Sequence, residues 1–159
     1  MSEHARIEAV LDAFHAAAAA ADEERYFATL APDAVFLGTA PGERWAGQSF
    51  RDFVHSYFSR GKGWSYAPSA RSVDIASDSL IAWFDETVEN EHFGACRGTG
   101  VLRRDGDEWR IVQYNSRSPS RTSLPRSSWR RSVVCAQPDP NTRPRNHART
   151  PLEPTCPSS

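Results

Sequence analysis

The apolar pattern changes period once, around Gly61 and Gly63, and this switch constrains the fold more than any other feature of the chain. Just before it, Phe50, Phe53, Val54, Tyr57 and Phe58 recur at the three- and four-residue spacing of one helix face. After it the spacing is that of extended chain. Trp64 to Ile75 reads as a long strand interrupted by Pro68, and Ser77-Asp78 turns the chain into Leu80 to Val88. Phe93 to Arg104 is a third strand. Its glycines, Gly94, Gly98 and Gly100, mark a bulge or a close approach of backbone. Asp105-Gly106 is a hairpin turn, and Trp109 to Asn115 closes the series.

The residues ahead of the switch are helical with one short strand. Ile7, Val10, Leu11, Phe14 and Ala18 predict an amphipathic helix from about Ser2 to Ala21. Asp22 is placed to cap a second helix with Tyr26, Phe27 and Leu30 on its apolar face, and Pro32 lies beyond its end. Ala34 to Leu37 reads as a strand, Pro41-Gly42 as a turn, and Arg44 to Gly47 leads back to the third helix. There Ser49 and Asp52 resemble a capping box. Helices segregated from a run of strands predict an α+β domain. We expect three N-terminal helices packed on a strongly curved antiparallel sheet, a cone-shaped α+β barrel with a cavity between helices and sheet.

Charge sets the expected limit of that domain. Residues 1–116 carry 11 Lys and Arg against 18 Asp and Glu, a net −7, whereas residues 117–159 carry 8 Arg against 2 acids, a net +6. The second segment also holds 8 of the 11 prolines. With Leu124, Trp129, Val133 and Val134 as its few apolar anchors, it is expected to be a disordered Arg/Pro/Ser-rich tail. Its abrupt change of composition suggests a frameshifted end in a GC-rich gene. Arg126, Arg130 and Arg131 beside Trp129 could bind nucleic acid or an acidic surface, but a nucleic-acid partner is not the expectation.

Cys96, Cys135 and Cys156 are odd in number and have no C-x-x-C spacing, which argues against a disulfide framework and a zinc site. No two histidines have ligand spacing on a helix face, so no metal is expected. The chain has no G-x-G-x-x-G, P-loop or G-x-S-x-G, so no cofactor is expected. Met1-Ser2-Glu3-His4 lacks a basic n-region, and the apolar run Ala16 to Ala21 is far too short to span a bilayer. A cytoplasmic protein without membrane contact is the expectation.

The order of elements and several short segments resemble the nuclear transport factor 2-like superfamily and, within it, the SnoaL-like proteins. The segments are Pro32 to Phe36, Trp45 to Gly47, Gly63 to Tyr66, Ala82 to Glu86, Arg97 to Leu102 and Trp109 to Asn115, which together span nearly all of residues 5–115. The superfamily includes isomerases, dehydratases, cyclases, hydrolases and non-catalytic binding modules, so the resemblance implies a fold and not an activity. It does allow one branch to be tested. Steroid isomerases of this superfamily use an aspartate base on the first strand and a tyrosine donor on the first helix. The matching positions here are Gly38 and Phe14, which have no carboxylate and no hydroxyl. That mechanism is therefore not expected.

The candidate chemistry lies on the strands. Asp85 and Glu86 are adjacent, so they point to opposite faces, and one of the two is expected to face the cavity. Asp85 shares its face with Ile81, Trp83 and Thr87, Glu86 with Leu80, Ala82, Phe84 and Val88. Either is a candidate general acid or base. The competing role is a salt bridge to Arg97 or Arg103 on the neighbouring strand. His15 sits at the edge of the first helix's apolar stripe, within reach of the pocket rim. Phe14, Trp45, Tyr57, Trp64 and Trp83 are the expected aromatic lining, with Gln113 and Asn115 as the polar groups that orient a ligand. The expected partners are a small apolar molecule and a second copy of the chain in a homodimer. The alternative is a non-catalytic dimerisation or interaction module with a vestigial pocket.

Overall fold

A computed structural model describes residues 1–118. The chain runs α1 (Glu3–Ala20), α2 (Glu23–Ala28), β1 (Leu30–Leu37), β2 (Arg44–Ala46), α3 (Gly47–Phe58), β3 (Ala67–Ile75), β4 (Ile81–Asn90), β5 (Gly94–Asp105) and β6 (Glu108–Arg117). This is the α+β order that the change of period implies. The expectations for the Arg/Pro/Ser-rich segment, apart from Arg117 and Ser118, lie outside the described residues.

The two N-terminal helices start as their capping residues dictate. Ser2 Oγ accepts the backbone N–H of Ala5 at 3.2 Å, and Asp22 Oδ1 accepts that of Arg25 at 3.1 Å. The third does not. Its N-cap is Ala46, with no side-chain bond; Ser49 Oγ donates back to the Ala46 carbonyl, and Asp52 accepts from Gln48. The predicted capping box is corrected because the helix begins three residues early, at Gly47, whose φ of +56° lets the chain turn directly out of β2.

The six strands form one open sheet in the order β2-β1-β6-β5-β4-β3. All pairs are antiparallel except β1 with β6, which run parallel and are joined not by a hairpin but through all the intervening elements. β1 begins earlier than its apolar run, at Leu30, which pairs with Ile111. A register break then carries Pro32 and Asp33 past β6 before pairing resumes at Val35. β3 begins later than predicted, at Ala67, because the N–H of Trp64 is taken by the carbonyl of Ala18 at the end of α1. Gly63 makes that junction possible, since a Cβ there would run into the carbonyl oxygens of Ala18 and Ala19.

The core lies between the helices and the inner face of the sheet. Ile7, Leu11, Phe14, Ala17 and Ala18 of α1 are buried with Tyr26 of α2, Phe50, Phe53, Val54 and Phe58 of α3, and Ala82, Phe84, Leu102, Ile111 and Tyr114 of the strands. Each fully buried large apolar side chain contributes about 1.5–3 kcal/mol. Trp109 fixes the start of α1 to β6, donating its indole N–H to Glu3 at 2.7 Å. Among the described residues no helix is long and apolar enough to cross a membrane.

Candidate functional site

Strand alternation decides between the two adjacent carboxylates. On β4, Ala82, Phe84, Glu86 and Val88 are buried, and Trp83 and Asp85 are exposed. Glu86 points inward and is 1% exposed. Its carboxylate is held from three elements. Oε1 accepts from His15 Nε2 of α1 at 2.6 Å and from the hydroxyl of Tyr114 on β6 at 3.1 Å. Oε2 accepts from Arg71 Nε at 2.9 Å, and Arg71 stands directly opposite Glu86 in the register of β3 with β4. Arg71 reaches on through Nη1 to Asp12 of α1, also at 2.9 Å, at the protein surface.

A glycine on β5 makes the cluster sterically possible. Gly98 stands opposite Glu86 in the next ladder, and a Cβ there would collide with the Tyr114 hydroxyl and lie 3.1 Å from Glu86 Cγ. Gly98 is the close approach that the glycine-rich strand implied.

The electrostatics follow from these partners. Burial alone would push the Glu86 carboxyl up, but the hydrogen bond and charge of His15 and the charge of Arg71 outweigh it and hold it below the ordinary value. Burial works against the Arg71 charge too, yet its bonds to Asp12 and Glu86 keep the guanidinium firmly protonated. Burial and then the nearby Glu86 charge push the Tyr114 hydroxyl well above its usual range, so it remains a neutral donor. Because an ionised carboxylate can only accept, Nε2 is the protonated nitrogen of the His15–Glu86 contact. Nδ1 makes no hydrogen bond among the described residues.

His15 and Tyr114 form the polar corner of a cavity of about 50 Å³. Among the described residues, Phe14, Phe36, Trp45, Phe53, Trp64 and Tyr66 supply its rings, and Gly38, Thr39, Glu43 and Ser116 also line it. The rings are packed in register: Trp45 stacks on Phe53 at 4.8 Å, and Phe36 on Tyr114 at 5.8 Å. Phe14 lies between Tyr26 at 4.8 Å and Tyr114 at 4.9 Å. Gly38 and Phe14, the positions where the isomerase groups would stand, both border the cavity without bringing a carboxylate or a hydroxyl.

Of the residues expected at the site, Phe14, Trp45 and Trp64 border the cavity, and Glu86 lies immediately behind its polar corner. Tyr57 is in the layer behind, packed on Phe53 at 5.5 Å and Trp64 at 6.2 Å. Three positions are corrections. Trp83 is 48% exposed, and of the two alternative carboxylates Asp85 is the one that shares its outward face by strand parity. Gln113 and Asn115 also face outward, because the register of β5 with β6 shifts at Val101 and Leu102 and leaves Val112 unpaired. Trp109 and Ile111 point inward before that bulge, and Tyr114 and Ser116 after it, so unbroken alternation puts the wrong pair inside. The expected salt-bridge partners are corrected as well. Arg103 binds Asp33 and Asp105, while Arg97 pairs with neither Asp85 nor Glu86. Sequence reasoning missed Arg71, Phe36, Phe53 and Ser116 as neighbours of the site. Only Phe53, on the α3 stripe, carried a usable signal.

Residues 7–119 match the SnoaL-like domain, and the chain belongs to that family. No protein of curated function matches the sequence. Among solved structures, the fold is similar to that of a putative aromatic ring hydroxylase from Novosphingobium aromaticivorans, at 17% identity and a TM-score of 0.63, over 74% of this chain and 90% of that one. It is similar to that of a putative scytalone dehydratase from the same organism, at 14% identity and a TM-score of 0.62, over 74% and 85% of the two chains. An NTF2-like protein of unknown function from Pseudomonas putida shares the fold at 17% identity and a TM-score of 0.60, over 75% and 89%. At these identities the likeness extends to the fold alone.

Proposed function

We propose that this SnoaL-like protein takes up a small, flat, largely apolar molecule in its aromatic cavity and moves a proton on it through His15. The observation that carries this reading is the 2.6 Å contact between His15 Nε2 and the buried Glu86, made by an imidazole that borders the cavity. A buried carboxylate fixes the tautomer and the ring orientation, so Nδ1 is held as a proton acceptor beside an apolar surface. The enclosed volume of about 50 Å³ is smaller than the ~150 Å³ of a cavity that takes benzene, so the ligand is a single ring lying partly in the mouth. Proteins of the same fold include a putative aromatic ring hydroxylase and a putative scytalone dehydratase, which is compatible with a ring-bearing substrate.

The test uses phenylacetone, a one-ring ketone whose benzylic C–H exchanges slowly in water. Saturable quenching of Trp45 and Trp64 fluorescence is expected, together with faster deuterium incorporation in D₂O. His15→Gln retains the quenching and loses the faster exchange. Failure of phenylacetone and comparable one-ring ketones to bind saturably overturns the proposal.

A second reading applies to the opposite side of the sheet. Trp83 is 48% exposed on the outer face of the sheet, with the exposed Asp85 two residues further along β4. An exposed indole on an open sheet face suits a self-complementary contact with a second copy of the chain. Sedimentation of the wild type against Trp83→Ser tests it: a dimer that the substitution dissociates is expected, and a wild-type monomer at all concentrations rejects it.

A further inference from the structure

We infer that Arg71, anchored at the surface by Asp12, is a positioning residue: it holds and compensates the Glu86 carboxylate and so keeps His15 Nδ1 clear of a proton. This rests on the reading that His15 moves a proton, and it assigns the state of that imidazole to a side chain on β3.

The four side chains form a closed circuit. His15 and Asp12 stand three residues apart on α1, at neighbouring positions of the helix surface. Glu86 and Arg71 stand directly opposite each other in the register of β3 with β4. His15 meets Glu86 at 2.6 Å, Glu86 meets Arg71 at 2.9 Å, and Arg71 meets Asp12 at 2.9 Å. The guanidinium is committed to these two carboxylates, since its Nη2 is buried and makes no hydrogen bond among the described residues. The last torsion of a glutamate is soft, but Arg71 engages Oε2 and pins it. Oε1 therefore stays aimed at His15 and the Tyr114 hydroxyl.

The balance of charge decides where protons sit. The Glu86 and Arg71 side chains are 0% and 10% exposed, whereas that of Asp12 is 66% exposed and its charge is largely solvated. Inside, one anion meets one cation, and the His15–Glu86 pair needs a single proton, on Nε2. Burial works against the Glu86 charge, and His15 and Arg71 offset it together. Without the guanidinium the pair is an uncompensated buried anion, and taking up one more proton relieves it. That proton has two resting places. On the imidazole it goes to Nδ1, beside an ionised Glu86. On the carboxyl it makes Glu86 a donor to Nε2, and the ring's own proton moves to Nδ1. Nδ1 is protonated in both cases and no longer accepts. The other titratable groups near the ring are Tyr114 of β6, Tyr26 of α2 behind Phe14, and Glu43 and Tyr66 on the cavity side. They are the same in every variant.

Ring ¹⁵N NMR of the histidine-labelled full chain reads the proton on Nδ1 with no ligand present, and His15→Gln assigns the signal. At about pH 8 the wild-type Nδ1 is expected to be unprotonated. Arg71→Gln is expected to raise the proton affinity at Nδ1 by about tenfold or more, and Arg71→Lys, which keeps the charge, to restore most of the wild-type behaviour. Asp12→Asn is expected to lower that affinity by a smaller factor, because it leaves the guanidinium charge wholly to Glu86. A merely structural ion pair would give stability losses in both variants and no such opposite movement at Nδ1. An Nδ1 in Arg71→Gln no more basic than in the wild type overturns the inference, as does one in Arg71→Lys as basic as in Arg71→Gln. Where Arg71→Gln does not fold, Asp12→Asn decides, and an unchanged or raised affinity there overturns the inference. These results leave the His15 reading standing, whereas a wild-type Nδ1 protonated at that pH overturns both.

Discussion

Asp85 and Glu86 are neighbours in sequence and identical in charge, yet they occupy different chemical worlds. Glu86 is enclosed by groups from α1, β3 and β6, and every one of its contacts is a charged or strongly polar donor. Asp85, on the other face of the same strand, lies in a row with Ser72, Thr99 and Asn115 across the outer surface of the sheet. What separates them is which face the helices cover. One residue of register converts a solvated surface acid into the centre of a buried network.

The largest expected effect falls on the inner residue. Glu86→Ala removes the buried acceptor of Arg71 Nε, His15 Nε2 and the Tyr114 hydroxyl and leaves Arg71 only its surface pair with Asp12, and a loss of about 3–5 kcal/mol in urea unfolding is expected. Asp85→Ala, measured alongside, leaves the unfolding midpoint nearly unchanged. Equal losses in the two variants would break the comparison.

Gly98→Ala probes the same cluster from β5. The added methyl meets the Tyr114 hydroxyl and the Glu86 side chain, so a destabilisation of roughly 1–3 kcal/mol is expected from overpacking. A neutral result would mean that Tyr114 gives way without loss.

The acid side of the stability profile should belong to Glu86. Its folded-state pKa is lowered from the ordinary 4.5, so its contribution is complete above the unfolded-state value and is lost as pH falls through the folded one. The stability gap between wild type and Glu86→Gln is therefore constant near neutrality and narrows below about pH 4.5. A gap that widens in acid contradicts the sign of the shift.

Tyr26→Phe gives the smallest and most discriminating effect. The Tyr26 hydroxyl is buried with no hydrogen-bond partner among the described residues. Removing it is expected to be neutral or to stabilise by up to about 1 kcal/mol. Tyr114→Phe, which removes a hydroxyl bonded to Glu86, should instead destabilise. The pair separates the value of a satisfied polar group from mere burial.

Much of the fold was legible in the sequence because it rests on local patterns. The α1 and α3 stripes, the Asp22 cap, the Asp105-Gly106 turn and the succession of strands follow from period, capping and turn chemistry. The site was less legible because it is assembled by pairing. The placement of Arg71 opposite Glu86 depends on the register of β3 with β4, and no local pattern encodes that register. The bulge at Val112 leaves no mark on the Trp109 to Ser116 segment, although it exchanges Gln113 and Asn115 for Tyr114 and Ser116 on the inner face. His15 stood at the edge of its helical stripe, where period alone does not separate a core histidine from a surface one. Gly98 was the most informative clue, since a glycine within a long strand signals that something approaches closely.

The claim that the inner carboxylate supports a working imidazole and the outer one does not is tested most directly by exchange kinetics. Deuterium incorporation into phenylacetone is measured at saturating ligand for wild type, Glu86→Gln and Asp85→Asn, each checked to be folded. Loss of the oriented base should slow Glu86→Gln by roughly 10²-fold while Asp85→Asn matches the wild type. Equal rates in all three proteins would contradict the account.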